Sequence, residues 1–399
     1  MQAQIIQTIR HTRARRLALF AFLDLQQTGS VSLSVRKFDA QISKKKRVHL
    51  SKKRVGIQLP RQANPQAIEL RYSLELEALE PVADIIEVAA DTPEEYAEGV
   101  RDMDAIITSW GFRIDEQVIS SLEKCAVIGV GSVGVDMVDI AAATEAGIVV
   151  TNVPDVFIEE VADHAMMLLL GCARRSKTMN RMATEGDWWQ ARPVLSKIPR
   201  LLGQTLGLFA FGNVSRCMAR RAKAFGMHVV AFDPYVSELT ISDAGVEPVS
   251  FTELLQQSDY ISVHAPHNEE THHSFSTDAF AQMQAHAAII NTARGPIIDE
   301  AAIIQALQDG QIAAAGLDVL EQEPPEKDNP LLTMENVIVT PHVASATTRM
   351  RPETRRRVGR EVALVLRGRW PMSCVNPTVL PRAPLERWQP YPMNRGPNR

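Results

Sequence analysis

Cysteine is scarce: the 399 residues hold four, Cys125, Cys172, Cys217 and Cys374, far apart and without a C-x-x-C pair. That spacing argues against a disulfide framework and a cysteine-rich zinc site, and suits a reducing, cytoplasmic setting. Long apolar runs are missing as well. Leu17 to Leu25 is short and contains Asp24, against the roughly 18 apolar residues a membrane-spanning helix needs, so no membrane partner is expected. No period of roughly 20 to 50 residues recurs, which excludes a solenoid. Acids are nearly absent from the first 54 positions, where 13 Lys and Arg face only Asp24 and Asp39, so the net charge of −4 divides into +11 for this arm and −15 for the remainder. A body of that sign is a poor partner for phosphate backbones, and nucleic acid binding is not expected outside the arm. What is present, 45% hydrophobic and 23% charged residues, suffices for one large or two ordinary folded domains.

The arm, residues 1–53, carries Arg10, Arg13, Arg15, Arg16, Lys44-Lys45-Lys46-Arg47 and Lys52-Lys53. This composition reads as a disordered extension, an organelle transit segment or a polyanion contact. Folding is expected to begin near Arg54. Residues 381–399, with Pro381, Pro384, Pro390, Pro392 and Pro397 among arginines, hold little apolar material and are expected to be disordered, with no regulatory domain following. Between these limits β-branched runs alternate with helical windows. Val55 to Leu59, Ile85 to Val88, Ala105 to Thr108, Ala126 to Ile128 and Ile148 to Thr151 read as strands. A long helical stretch from about Glu159 to Arg175 and a loop with Trp188 and Trp189 come next. A second series then begins with Thr205 to Phe209, Val229 to Phe232, Tyr260 to Val263, Ala288 to Asn291, Ala314 to Leu317 and Val337 to Val339. Two βα series imply two α/β domains with parallel sheets.

The second series opens with a dinucleotide signal. Leu206 to Phe209 leads into Ala210-Phe211-Gly212-Asn213-Val214-Ser215, a helical window from Arg216 to Phe225, and a strand ending at Asp233. In such a unit the pyrophosphate rests on the helix N-terminus, where free N–H groups and the helix dipole favour an anion, and glycine permits close approach. Asp233, about 20 positions on, suits the ribose hydroxyls and repels a 2′-phosphate, so the expected cofactor is NAD. Of the three glycines of the Gly-x-Gly-x-x-Gly pattern only Gly212 stands; Ala210 occupies the tight turn, and Ser215 either loosens helix packing or supplies a hydroxyl.

Three later segments each place a polar group just past a strand: Asn291-Thr292-Ala293-Arg294-Gly295, Leu317-Asp318 with Glu321-Gln322-Glu323-Pro324, and Thr340-Pro341-His342. An Arg can clamp a carboxylate, a His can protonate a carbonyl oxygen near neutral pH, and a carboxylate can hold the imidazole and raise its pKa. These are the parts needed to handle a 2-oxo acid.

With Ser132-Val133-Gly134-Val135-Asp136, Asn152-Val-Pro-Asp155, Glu160-Val-Ala-Asp163, Asp233-Pro-Tyr235 and His264-Ala265-Pro266, the motif string resembles the D-isomer-specific 2-hydroxyacid dehydrogenases over roughly Val55 to Val379. The resemblance implies two Rossmann-like domains, an NAD-binding domain (154–342) inserted in a flavodoxin-like substrate domain (54–153 and 343–380), with the active site in the cleft between them. It implies Arg294, Glu323 and His342 as catalytic residues, Glu323 rather than Glu321 pairing with the imidazole. Val133 and Gly134 would join Arg294 and His342 in binding substrate. Phe211, Gly212, Asn213, Val214, Asp233, His264, Ala265, Thr292, Ala293, Arg294, Asp318 and His342 would border NAD. It further implies a small 2-oxo or 2-hydroxy acid as partner, reduced by hydride transfer, and a homodimer.

Departures accompany the match. Val130 replaces an arginine many members carry, and Ser345 stands where the corepressor branch has tryptophan. A second reading, an NAD-sensing interaction protein resembling the corepressors with little turnover, rests on the altered glycine turn and the basic arm. No metal is expected: His264, His267, His272 and His273 have no carboxylate or cysteine at ligand spacing. Asp136, Asp139 and Asp163 read as capping or pairing residues, Trp188 and Trp189 as loop packing or a dimer contact, and Cys217 as a small core residue.

Overall fold

The computed structural model describes residues 52–58, 68–108, 111–196 and 198–388. Residues 1–51, 389–399 and Trp110 lie outside the described residues. Among the described residues twelve strands form two sheets, and their pairings are parallel. The first contains β1 (Lys53–Gln58), β2 (Ala83–Val88), β3 (Ala105–Thr108), β4 (Val127–Val130) and β5 (Val149–Thr151), in the order β2-β1-β3-β4-β5. The second contains β6 (Thr205–Phe209), β7 (His228–Phe232), β8 (Glu247–Pro248), β9 (Tyr260–Val263), β10 (Ala288–Asn291), β11 (Ala314–Leu317) and β12 (Val337–Val339). Its order is β12-β11-β10-β9-β6-β7-β8.

The apolar runs become strands because helices cover both faces of each sheet, which buries every position of β3, β4, β9 and β10. Two hydrophobic clusters flank the seven-stranded sheet and two flank the five-stranded one. Helix Ile158–Ala173 packs on β10 and β11, whereas helix Met350–Leu366 returns to β3, β4 and β5. The chain therefore crosses between the lobes twice, after β5 and after β12. In the larger sheet the connections diverge between β6 and β9, the switch point at which open α/β sheets bind ligands.

Several expectations need correction. Lys52 and Lys53 belong to the fold: Lys53 opens β1 and bonds Asp104 at 3.0 Å, and Lys52 bonds Asp84 at 2.8 Å. Residues 381–388 are not a disordered tail. Arg382 donates to the carbonyls of Ala146 (2.7 Å) and Leu122 (2.9 Å), the Trp388 indole donates to Trp370 O (2.9 Å), and Arg387 lies 3.9 Å from the Trp370 ring centroid. Those anchors are polar and cation–π contacts, which hydropathy does not register. Cys217 is half-buried rather than core, its Sγ 3.3 Å from Glu159 Oε1. Trp188 and Trp189 do not pack a loop; they are 64% and 69% exposed. Asp139 caps helix Ile140–Glu145, and Asp163 pairs with Arg221 at 2.6 Å.

Candidate active site

Strand β10 ends at Asn291, whose buried amide closes the next turn: Nδ2 donates to Arg294 O and Oδ1 accepts from Ala293 N, both at 2.9 Å. Gly295 follows because a Cβ there would overlap the Leu320 carbonyl. The Arg294 guanidinium is held at two corners, Nε donating to Asp136 Oδ2 (3.0 Å) and Nη1 to Ala293 O (2.6 Å). Nη2 lies against Gly134, where a Cβ would overlap it. The loop carrying Val133 and Gly134 is fixed through its carbonyls, which accept from Asn152 Nδ2 and Ser132 Oγ, each at 2.7 Å. Among the described residues neither the Val133 nor the Gly134 N–H has a protein acceptor. Arg294 Nη2 at Gly134 and the two unsatisfied amides of that loop make a donor set whose chemistry suits a carboxylate.

His342 follows β12 in a turn that takes it to φ 51°. Asp318, 1% exposed at the end of β11, organises that turn. Its carbonyl accepts from His342 N (2.8 Å), and its carboxylate accepts from Thr340 Oγ1 (2.6 Å), Val343 N (3.0 Å) and Ala344 N (2.8 Å). His164 Nε2 sits 2.9 Å from Thr340 Oγ1. Because the threonine proton goes to Asp318, His164 donates, which fixes its Nε2–H tautomer. His342 Nδ1 lies 2.7 Å from Glu323 Oε2, and Glu323 Oε1 accepts from Leu320 N at 3.1 Å. Glu321 turns away to pair with His273.

The Glu323 hydrogen bond raises the His342 pKa above the usual histidine value; burial and Arg294 oppose it, while the charges of Glu323 and Asp318 add to it. Burial pushes Glu323 up, but the His342 bond and charge, the Leu320 N–H and Arg294 together hold it below the usual glutamate value. The pair therefore favours an imidazolium beside a carboxylate, with Nδ1 bonded to Glu323.

The cofactor turn lies at the switch point. Ala210 takes φ 73°, the left-handed region that favours glycine. Ser215 is fully buried, and its hydroxyl donates to the Ala210 carbonyl at 2.7 Å, so this position supplies a bond where the pattern has glycine. Helix Asn213–Ala224 starts at Gly212 without a side-chain cap, and a Cβ on Gly212 would meet nothing within 4 Å. An uncapped helix start facing open space fits a pyrophosphate. The Asp233 carboxylate accepts from Phe211 N (2.7 Å), Tyr235 N (2.8 Å) and Val236 N (3.1 Å), which fixes it at the end of β7.

Residues 166–344 match the family model described as D-isomer specific 2-hydroxyacid dehydrogenase, NAD binding domain. The D-3-phosphoglycerate dehydrogenase of Methanocaldococcus jannaschii is 38% identical over 317 residues, covering 79% of this chain and 60% of that enzyme's length. A glyoxylate reductase of Korarchaeum cryptofilum is 38% identical over 284 residues, 71% of this chain and 86% of that protein. The chain belongs to the D-isomer-specific 2-hydroxyacid dehydrogenase family. It carries that family's NAD-binding domain on the seven-stranded sheet. Its fold also matches the structure of D-lactate dehydrogenase from Aquifex aeolicus complexed with NAD and lactic acid, with a TM-score of 0.69 and 26% identity over 79% of this chain and 96% of that one.

In this dehydrogenase the expected site residues do not all face the cleft. Gly212 and Asn213 are exposed at the helix start and Val214 is half-buried beside them. The Phe211 side chain is fully buried and its N–H is taken by Asp233. The Asp318 carboxylate is turned into the protein, onto the His342 turn. Ala265 is buried, Ala293 is half-buried in the Arg294 turn, and Thr292 keeps a buried hydroxyl without a partner. His264 Nε2 bonds Ser262 Oγ at 2.9 Å, and burial pushes its pKa down to about 4, so it is neutral at pH 7. Among the described residues no group of three His, Cys, Asp or Glu could hold a metal ion, and no helix is long and apolar enough to cross a membrane. A cavity of about 930 Å³, lined in part by Lys177, Leu320, Pro324 and Val339, reaches the Glu323–His342 pair from the side of helix Ser176–Glu185. Arg294, Gly134 and Gly212 do not line it. Sequence reasoning gave no role to Asn291, His164 or Thr340; all three act through partners set by the fold.

Proposed function

We propose that this dehydrogenase interconverts a 2-oxo acid and a D-2-hydroxy acid with Arg294, Glu323 and His342 as its working set. The observation that carries the reading is the 2.7 Å His342–Glu323 pair, with its raised imidazole pKa, in a site that also holds the Arg294–Val133–Gly134 donor group. In reduction, His342 gives the proton at Nε2 to the carbonyl oxygen, and in oxidation it takes the proton back. Glu323 holds the ring through Nδ1 and stabilises the imidazolium. Arg294 Nη2 and the amides of Val133 and Gly134 bind the substrate carboxylate and orient the carbonyl.

Gly212, Asn213 and Val214 would hold the pyrophosphate of NAD, Asp233 the ribose, and His264, Ala265, Thr292 and Ala293 the remainder, with the unpartnered Thr292 hydroxyl and the uncapped helix start as the features that fit. When bound, NAD supplies or accepts the hydride. The domain limits, 52–153 with 343–388 and 154–342 once both ends are corrected, the homodimer and the cytoplasmic setting belong to the same reading; the exposed Trp188 and Trp189 support the dimer, being an apolar pair unusual on a free surface. The test is NADH oxidation by the purified chain with glyoxylate, hydroxypyruvate, pyruvate, a branched 2-oxo acid and phosphohydroxypyruvate. Turnover of any one is the expected result. NADH binding without turnover of any substrate would replace the reading with the NAD-sensing one.

A further inference from the structure

Arg294 stands in the NAD-binding lobe, yet its Nε is bonded to a carboxylate of the other lobe, Asp136, at 3.0 Å. The two residues are 158 positions apart. The bond crosses the cleft beside Gly134, whose Cα approaches the guanidinium so closely that no side chain fits between them. With Nη1 donating to Ala293 O, the Asp136 bond fixes the plane of the guanidinium and leaves Nη2 against Gly134, in the loop whose Val133 and Gly134 amides have no protein acceptor among the described residues. Asp136 is itself about half exposed, so its charge is open to solution beside Arg294. Val130, at the end of β4 in the same lobe, brings no compensating cation.

Resting on the 2-oxo acid reading above, we propose that Asp136 is a positioning residue for Arg294, and that its charge tunes the site toward substrates carrying one negative charge rather than two or three. The carboxylate has two opposed effects. It orients the guanidinium, which strengthens the grip on the substrate carboxylate. It also partly neutralises Arg294, which weakens attraction for any further anionic group such as a phosphate. A simple monoanionic 2-oxo acid gains from the first effect and loses little by the second; a phosphorylated one loses by the second.

The experiment compares wild type, Asp136→Asn and Asp136→Ala as intact NADH-bound enzymes. It measures KM and kcat for hydroxypyruvate and for phosphohydroxypyruvate, NADH affinity by fluorescence, and binding of oxamate, an unreactive 2-oxo acid analogue. Asp136→Ala is expected to raise the hydroxypyruvate KM and the oxamate Kd about tenfold, the scale for losing one charge-assisted hydrogen bond, with NADH affinity unchanged. Asp136→Asn, which can still accept from Nε, is expected to recover most of that loss. It is also expected to shift the kcat/KM preference about fivefold toward phosphohydroxypyruvate, the scale for removing one charge near a multiply charged group in a wet cleft. An unchanged or lowered hydroxypyruvate KM in Asp136→Ala overturns the positioning role. An unchanged preference in Asp136→Asn overturns the charge selection. If wild type neither binds oxamate nor turns over any 2-oxo acid, the functional reading itself falls and takes this inference with it, a result distinct from an active enzyme indifferent to position 136.

Discussion

Replacing Ala210 with glycine should stabilise this protein, the reverse of the usual effect of adding glycine. Ala210 is held at φ 73°, where a Cβ crowds the following carbonyl at a cost of about 1–2 kcal/mol. Glycine removes that strain but adds chain entropy to the unfolded state, a loss of about 0.5–1 kcal/mol. The difference leaves a gain of about 1 kcal/mol, or about 2–4 °C in Tm for a lobe of this size. Ser215 belongs to the same calculation, because its hydroxyl donates to the Ala210 carbonyl at 2.7 Å from a fully buried position. That bond is worth about 1 kcal/mol net and helps hold the turn where alanine resists it. Urea unfolding of wild type, Ala210→Gly, Ser215→Ala and the double variant gives both terms and their coupling. Ser215→Ala should cost less in the Ala210→Gly background, where the turn needs less holding. A destabilised or unchanged Ala210→Gly protein would refute the argument, since either result means that the turn carries no strain that glycine can release.

Other outcomes follow from the site. His342→Ala should lower kcat for reduction by about 10²–10⁴-fold, the range for a positioned acid, while NADH affinity stays within about twofold; parallel loss of NADH binding would remove the acid role. Because Glu323 raises the His342 pKa, reduction should be fast below that raised value and fall as pH climbs through it, with oxidation running the opposite way. Glu323→Gln removes the charge, so both limbs should move to lower pH; limbs that stay in place would free Glu323 of this role. Gly295→Ala should cost about 1–3 kcal/mol by overpacking, because its Cβ meets the Leu320 backbone, and should raise the 2-oxo acid KM by shifting Arg294; urea midpoints and kinetics check both.

Much of the fold is legible in the sequence because buried parallel strands are short, apolar and punctuated. Ala105–Thr108, Thr205–Phe209, Tyr260–Val263, Ala288–Asn291, Ala314–Leu317 and Val337–Val339 stand where the runs predict. Strand β8, Glu247–Pro248, was invisible, since two residues including a proline carry no periodicity. Sheet order is a property of connections rather than of composition, so the switch point between β6 and β9 came only from the structure. The residues that hold the site were equally hidden. Asp136 and Arg294 are 158 positions apart, and His164 and Thr340 are 176 apart. The family resemblance implies a place for Asp318 beside the cofactor. The structure turns its carboxylate inward, where it accepts from Thr340, Val343 and Ala344 of the turn after β12.

This division of labour predicts how damage should separate in kinetics. His342 is tied by Asp318 to the ends of β11 and β12 and by Glu323 to the Leu320 turn, all within the seven-stranded lobe that also carries the cofactor turn. The proton donor and the hydride site therefore keep their relative geometry if the lobes move. The carboxylate grip is different, because Arg294 comes from one lobe and Val133, Gly134 and Asp136 come from the other. Both crossovers are pinned together where Arg349 donates to Val156 O (2.6 Å) and Glu160 Oε1 (3.0 Å). Substitutions at Asp136 or Gly134 should therefore fall mainly on the 2-oxo acid KM, and those at Thr340 or Asp318 mainly on kcat. If Thr340→Val, which keeps the volume but removes the bond to Asp318, changes KM alone, the His342 turn is not held from within its own lobe and the separation argued here is wrong.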